Sequence, residues 1–141
     1  MKIKRIEHIA IAVDDVTRVL ATLKRVLGLE LEYVEHLPEH RTKLAMIPVG
    51  ETYLELLEAT SADSGTAQWI AQRGTGLWHL CFEVNDIDAA VQELKTRNVR
   101  LLSEGPLIGH GGSQIVFIDP SETDGLVFEL VELPNGGAGG A

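Results

Sequence analysis

Two histidines and two glutamates lie at matching positions in the chain, and together they could bind a metal ion. His8 and His79 are 71 residues apart, and Glu55 and Glu129 are 74 residues apart. Imidazole nitrogens and carboxylate oxygens bind divalent first-row metals in proteins, often leaving positions open for water or substrate. A single histidine or glutamate on a strand usually has no such role, but the recurrence of both predicts a metal site formed by all four.

The segments around these residues are similar to each other, which indicates an internal repeat. Residues 7–16 resemble residues 78–87, with His, Val and Asp at equivalent positions. Residues 54–58 resemble residues 128–132 in the same way, and a three-residue loop insertion accounts for the difference in spacing. We therefore predict two copies of one module of about 70 residues, each of which supplies one His and one Glu.

Alternating and helically spaced apolar residues predict the same elements in both copies. In the first copy, a strand precedes a helix that begins after Asp14 or Asp15 and ends at Gly28, and a linking helix over about 63–73 begins at Asp63 or Ser64. The predicted strands of the first copy lie near 6–13, 29–36, 41–49 and 52–58. The second copy has a helix from Asp86 to Asn98 and strands near 77–84, 99–103, 113–118 and 126–132. The order βαβββ, found twice, predicts an α+β fold.

Composition excludes several classes of protein. The 141 residues include 12 Lys+Arg against 21 Asp+Glu, and this formal charge of −9 disfavours nucleic acids and anionic membranes as partners. No apolar run reaches the roughly 18 residues that a membrane span needs. The single cysteine, Cys81, excludes an intramolecular disulfide and favours a reducing compartment. We expect a cytoplasmic protein with one domain over residues 1–133, built from modules at about 3–60 and 75–133, and a disordered Gly-rich tail at 134–141.

Several motifs resemble those of the vicinal oxygen chelate superfamily, which includes glyoxalases, bleomycin-resistance proteins and dioxygenases. They are the first-strand histidine, the Val-Leu-Gly-Leu at residues 26–29 and the Glu-Leu pairs in the last strand of each copy. Other stretches are similar to the methylmalonyl-CoA epimerases in particular: residues 48–57, 62–70, 74–79 and 104–112. The resemblance covers about residues 3–132, nearly the whole chain.

This resemblance implies a fold, a cofactor and a reaction. The two modules would form a cupped eight-stranded sheet around a divalent metal, with Co²⁺ favoured and Mn²⁺, Ni²⁺ or Zn²⁺ possible. His8, Glu55, His79 and Glu129 match the metal-ligand positions. The reaction would interconvert (R)- and (S)-methylmalonyl-CoA by α-proton abstraction through a metal-stabilised enolate, with an acyl-CoA thioester as substrate and a homodimer as the assembly.

The same resemblance leaves alternatives for the reaction. Glu55 is Gln in some epimerases, whereas the glyoxalase I pattern has His-Glu-His-Glu as this chain does. A glyoxalase I-type lyase or isomerase acting on a glutathione hemithioacetal, or a non-catalytic ligand-binding member of the fold, is therefore the alternative. Glu129 is expected to act as ligand and proton shuttle. Lys43 takes the place of a glutamate base of some bacterial epimerases and is the other candidate base.

A glycine-rich loop is the candidate substrate-binding segment. Gly111, Gly112 and Ser113 offer backbone N–H groups that could approach an anionic substrate closely. His110, in the same loop, is interpreted as a surface imidazole. Cys81 follows His79 by two residues on the predicted strand and is interpreted as a small core residue, since the sequence provides no basic neighbour for it.

Overall fold

The computed structural model describes residues 1–134, and these form two compact units. The first unit comprises His8–Trp78, and the second combines Met1–Glu7 with residues 79–134. Both boundaries fall within strands, whereas the sequence placed the module ends near residues 60 and 75. The predicted tail lies outside the described residues from position 135 onward.

The first unit contains the predicted βαβββ elements and the linking helix. Its elements are β1 (Ile3–Ala12, of which the first five residues belong to the second unit), α1 (Val16–Leu27), β2 (Tyr33–Leu37), β3 (Thr42–Val49), β4 (Thr52–Ala59) and α2 (Gly65–Arg73). Strand β1 pairs in parallel with β4, β4 pairs antiparallel with β3, and β3 pairs antiparallel with β2. The reversals of the chain between β2 and β3 and between β3 and β4 therefore bring β4, the last strand of the module, beside β1, the first.

The second unit repeats this arrangement. Its elements are β5 (Gly76–Val84), α3 (Ile87–Thr96), β6 (Leu107–Ile108), β7 (Gln114–Phe117) and β8 (Phe128–Glu132). Strand β5 pairs in parallel with β8, β8 pairs antiparallel with β7, and β7 pairs antiparallel with β6. The same strand order in both units confirms the repeat.

Each helix begins where the sequence provides an N-cap. The side chains of Asp15, Ser64 and Asp86 each accept a hydrogen bond from the backbone N–H three residues further on. This satisfies one of the backbone donors that a helix N-terminus leaves without an intrahelical partner. Helix α1 ends at Gly28, whose φ of 69° lies in the left-handed region, as predicted.

The strands of the first unit bury apolar side chains on both faces. One face packs against Val16 of α1 and contains Ala45, Ile47 and Leu56; we call it the helix face. The opposite face contains Ala10, Leu37, Leu44, Met46 and Leu57. Successive residues of a strand point to opposite sides, so these two clusters establish which face each side chain of β3 and β4 occupies.

The second unit has the same two faces. Val84, Val116 and Leu130 pack against α3 on the helix face, whereas Cys81, Ile115 and Val131 lie on the opposite face. The prediction that Cys81 is a core residue is therefore confirmed, because this side chain is fully buried.

The edge of the second unit differs from the prediction. Residues 99–103 form no strand, and only Leu101 makes a bridge, to Ile118. The edge strand is instead the two-residue β6. In the first unit, β2 begins at Tyr33 rather than near residue 29.

No helix within residues 1–134 is long and apolar enough to cross a membrane.

Candidate metal centre

In the first unit, β1 and β4 bring one of the predicted His–Glu pairs together. The register aligns Ala10 with Glu55 across these parallel strands, and His8 lies two residues before Ala10 on the same face. His8 Nε2 and Glu55 Oε1 are 3.3 Å apart, and the two side chains are only 1% and 7% exposed. Small Ala10 and Ala12 follow His8 on this face and are fully buried.

In the second unit, β5 and β8 bring the other pair together in the same way. The register aligns Cys81 with Glu129, and Cys81 lies two residues after His79 on the same face. His79 Nε2 and Glu129 Oε1 are again 3.3 Å apart, with side chains 2% and 5% exposed. The ring of Phe117 packs edge-on against the imidazole, at 5.0 Å between centroids and an interplanar angle of 87°.

Both pairs fit the donor chemistry of a divalent metal. Two ligands that each lie about 2.1 Å from one ion are separated by about 3.0 to 3.4 Å at octahedral or tetrahedral angles. The observed separation of 3.3 Å in each pair falls within this range. A buried carboxylate also requires a compensating positive charge or hydrogen bonds, because removing its charge from water is costly. Each unit therefore presents one imidazole and one carboxylate at a spacing suited to a shared cation.

The structure does not bring Lys43 to the carboxylate of the first unit. Lys43 lies opposite Glu58 in the register of β3 and β4, whereas Met46 lies opposite Glu55. Met46 belongs to the cluster on the face opposite the helix, and Ala45 belongs to the helix-face cluster. By strand alternation Lys43 shares the face of Ala45, so it points away from the face that holds Glu55. A base role for Lys43 stays a prediction that this register does not support, because it places the side chain on the helix face.

The glycine-rich loop also differs from its prediction. Residues His110–Gly112 form one short 3₁₀ turn, in which Gly111 and Gly112 have φ values of 60° and 76°. His110 is not a surface imidazole: it is 7% exposed, and its Nε2 lies 2.8 Å from Oε1 of the buried Glu7. No sequence signal indicates this pair, because its partners are 103 residues apart.

Ser113, which ends this loop, is fully buried. Its backbone N–H donates to the carbonyl of His110 at 3.0 Å, and its carbonyl accepts from the N–H of Gly109 at 2.9 Å. Its hydroxyl Oγ has no hydrogen-bond partner within residues 1–134. A buried hydroxyl without a partner is uncommon in proteins and suggests a hydrogen bond to a water molecule or a ligand.

Two carboxyls outside these pairs have a pKa below the ordinary value. The Ser61 hydroxyl donates to Asp63 and, with Arg41 nearby, lowers the pKa of that carboxyl. The backbone N–H of Ser121 donates to Asp119 and lowers its pKa in the same way. These groups support local turns, and their solvent exposure makes their contribution to stability small.

The sequence of the chain matches a known protein family. Residues 7–117 match the family model of the Glyoxalase/Bleomycin resistance protein/Dioxygenase superfamily. The chain therefore belongs to this superfamily, whose fold the sequence resemblance implied.

More specific similarities fall within one group of enzymes. The chain is 37% identical over 127 residues to the mitochondrial methylmalonyl-CoA epimerase of Bos taurus, a match that covers 89% of this chain and 73% of the relative. It is 33% identical to the ethylmalonyl-CoA/methylmalonyl-CoA epimerase of Cereibacter sphaeroides, covering 93% and 99%. A solved structure of a variant of Streptomyces coelicolor methylmalonyl-CoA epimerase, in complex with 2-nitronate-propionyl-CoA, has a TM-score of 0.91 and 32% identity, covering 95% and 97%. The predicted α+β fold class is confirmed.

Proposed function

We propose that this chain is an epimerase that interconverts (R)- and (S)-methylmalonyl-CoA. The observation that carries this conclusion is identity of 33–37% with epimerases acting on such thioesters, over at least 89% of the chain. The comparisons favour the epimerase over the glyoxalase I-type alternative that the four candidate ligands alone left open. They also disfavour a non-catalytic binding protein, since the relatives named above are enzymes.

His8, Glu55, His79 and Glu129 together hold one divalent metal in this proposal. Support comes from the 3.3 Å His–Glu spacing that each unit repeats, and from the burial of all four side chains. A bound divalent ion supplies Lewis acidity, which stabilises negative charge that develops on a carbonyl oxygen. Mixed nitrogen and oxygen donors suit Co²⁺, which the epimerase resemblance favours, and also Mn²⁺, Ni²⁺ and Zn²⁺.

The two glutamates carry the proton transfers. Epimerisation requires a base that removes the α-proton from one side of the carbon and an acid that returns a proton to the other. Glu129 takes one of these roles. Because Lys43 lies on the helix face, we assign the other to Glu55, the equivalent carboxylate of the first unit. Epimerases with Gln at this position must take their second base from another residue.

Gly111, Gly112 and Ser113 bind an anionic group of the acyl-CoA thioester. The two glycines have left-handed φ values and no side chains. A ligand can therefore approach the backbone N–H groups of this segment closely. The buried Ser113 hydroxyl adds a hydrogen-bond donor that has no other partner in the described part of the chain. A homodimer, which the resemblance implies, and a cytoplasmic location, which the single cysteine favours, complete the proposal.

The test is proton exchange at the α-carbon. Metal-loaded protein is incubated with (R)- or (S)-methylmalonyl-CoA in deuterated water, and we expect deuterium at C2 together with loss of the stereochemical purity of the thioester. Methylglyoxal with glutathione is supplied in a parallel reaction. Absence of exchange, combined with turnover of the hemithioacetal, would overturn the epimerase proposal in favour of the glyoxalase alternative.

A further inference from the structure

The second unit contains another buried His–Glu pair, which the metal proposal does not use. Glu7 and His110 are 1% and 7% exposed, and their side chains meet at 2.8 Å. Burying a carboxylate beside an imidazole is favourable only if the geometry is good, since both groups lose their hydration. The repeat places Trp78 at the position equivalent to Glu7, so a strand of this kind forms without such a carboxylate. Formation of the strand therefore does not require the pair.

His110 connects the glycine-rich loop to β1. The loop has glycine at positions 109, 111 and 112, so His110 carries the only side chain between residues 108 and 113. Glycine segments lose more conformational freedom on ordering than any other kind, so an ordered loop of this composition requires specific contacts. The hydrogen bond between His110 and Glu7 provides one such contact to a strand that is distant in sequence.

The loop is also closely packed at its base. A Cβ atom at Gly109 would lie 2.6 Å from Cγ2 of Ile115 and 2.7 Å from Oγ of Ser113, so only glycine fits there. In this conformation, which brings Gly109 and Ser113 close together, the Ser113 hydroxyl is buried without a hydrogen-bond partner among residues 1–134. Holding His110 in place therefore holds Ser113 in place as well.

We infer that Glu7 and His110 are positioning residues for substrate binding. Their hydrogen bond keeps the loop in the conformation in which Ser113 and the neighbouring backbone N–H groups receive the anionic group of the thioester. This inference rests on the proposed function, and it assigns to the pair an effect on substrate binding and not on the proton transfers.

The test compares two substitutions at one position. His110→Leu has a similar size but no donor, whereas the amide nitrogen of His110→Gln can still donate to Glu7. In steady-state epimerisation of methylmalonyl-CoA we expect His110→Leu to raise KM about tenfold with kcat changed less than about twofold, the effect of losing one hydrogen bond to a charged group. His110→Gln is expected to keep KM within about threefold of the wild type. Metal content, measured by elemental analysis, should be unchanged in both.

Glu83→Ala is the matched control. Glu83 is as buried as Glu7, lies in the same unit and is paired with Arg5 at 2.7 Å and with Lys4 at 3.2 Å. Both of these partners lie on β1 and not in the glycine-rich loop. The loss of Glu83 should lower the thermal midpoint without raising KM. An equal rise of KM in Glu83→Ala and His110→Leu would overturn the inference, because a general loss of stability would then explain both.

Two further outcomes separate this inference from the proposed function. If His110→Leu does not accumulate as folded protein, the same tenfold rise of KM is expected for His110→Asn, whose amide is too short to reach Glu7. Active wild-type enzyme with an unchanged KM in these variants contradicts the positioning role alone. An inactive wild-type enzyme contradicts the proposed function instead.

Discussion

Each of the four candidate ligands lies on a strand, and each faces the side of its sheet that is away from the helix. In both units the histidine comes from the first strand of the module and the glutamate from the last, two strands that pair in parallel. The neighbours differ, with Ala10 beside Glu55 and Cys81 beside Glu129, yet the separation of nitrogen and oxygen is the same 3.3 Å. Because the His–Glu separation is the same although the neighbouring residues differ, the geometry of the pair itself is constrained.

The first prediction concerns the two proton transfers. Glu129→Gln and Glu55→Gln each retain an oxygen donor for the metal but lose the basic carboxylate. Each variant should lose epimerisation by about 10²–10⁴-fold, the usual contribution of a general base. Each should still exchange the α-proton of one enantiomer, and the two variants should retain opposite enantiomers. The measurement is deuterium incorporation by mass spectrometry, beginning from pure (R)- and pure (S)-methylmalonyl-CoA.

If both variants retained exchange of the same enantiomer, the assignment of one base to each unit would be incorrect. Metal content accompanies each assay, because loss of the ion would abolish exchange of both enantiomers.

A second prediction concerns Lys43. Since this side chain lies on the helix face of the first unit, Lys43→Ala should keep epimerisation and the exchange of both enantiomers within about twofold of the wild type. The deuterium-incorporation assay described for the glutamate variants measures both rates. A loss comparable to that of Glu129→Gln, with metal retained, would restore lysine as a base and contradict the strand register.

At the scale of elements, the repeat extends to the start of its two long helices. The carboxylate of Glu58 accepts a hydrogen bond from the backbone N–H of Val16 at 2.8 Å, and Glu132 accepts one from Ile87 at 2.9 Å. Each glutamate lies near the end of the last strand of its module and caps the helix that follows the first strand. Strand β4 therefore both carries Glu55 and holds the N-terminus of α1, and β8 does the same for Glu129 and α3.

The third prediction follows from these contacts. Glu58→Ala and Glu132→Ala should each lower the free energy of unfolding by about 1–2 kcal/mol, because each removes a charged acceptor from a helix N-terminus. Urea denaturation measures the change. Glu39→Ala, at an exposed position of the short turn after β2, is the control and should stay within about 0.5 kcal/mol. Equal effects at all three positions would show that capping is not the cause.

Local chemistry explains which elements could be predicted. The starts of the helices could be predicted because each capping side chain lies within three residues of the backbone N–H that it satisfies, at Asp15, Ser64 and Asp86. The end of α1 at Gly28 follows from the left-handed conformation that glycine adopts easily. The edge strand of the second unit could not be predicted, because pairing at Leu101 depends on Ile118 and on the path of the intervening chain. Burial of His110 was missed for the same reason, since its partner Glu7 is distant in sequence.

At the scale of the whole molecule, the acidic composition and the proposed metal are linked. The chain has a formal charge of −9, and two of its carboxylates, Glu55 and Glu129, are buried beside imidazoles. A bound divalent cation would compensate the buried negative charge and reduce the net repulsion of the chain. Metal binding should therefore stabilise the folded state as well as permit the reaction.

The final prediction measures this linkage without any substrate. An ion that binds only the folded state, at a concentration about 1,000 times its Kd, adds about 4 kcal/mol of stability. For a chain of this length, that corresponds to an increase of roughly 8–16 °C in the thermal midpoint between chelator-treated and Co²⁺-loaded protein. His8→Ala should lose most of this increase and the bound metal equivalent, since it removes one of four ligands. His36→Ala removes an exposed imidazole from β2 and should keep both the increase in thermal midpoint and the bound metal equivalent. An undiminished increase in His8→Ala would show that Co²⁺ binds elsewhere on the chain.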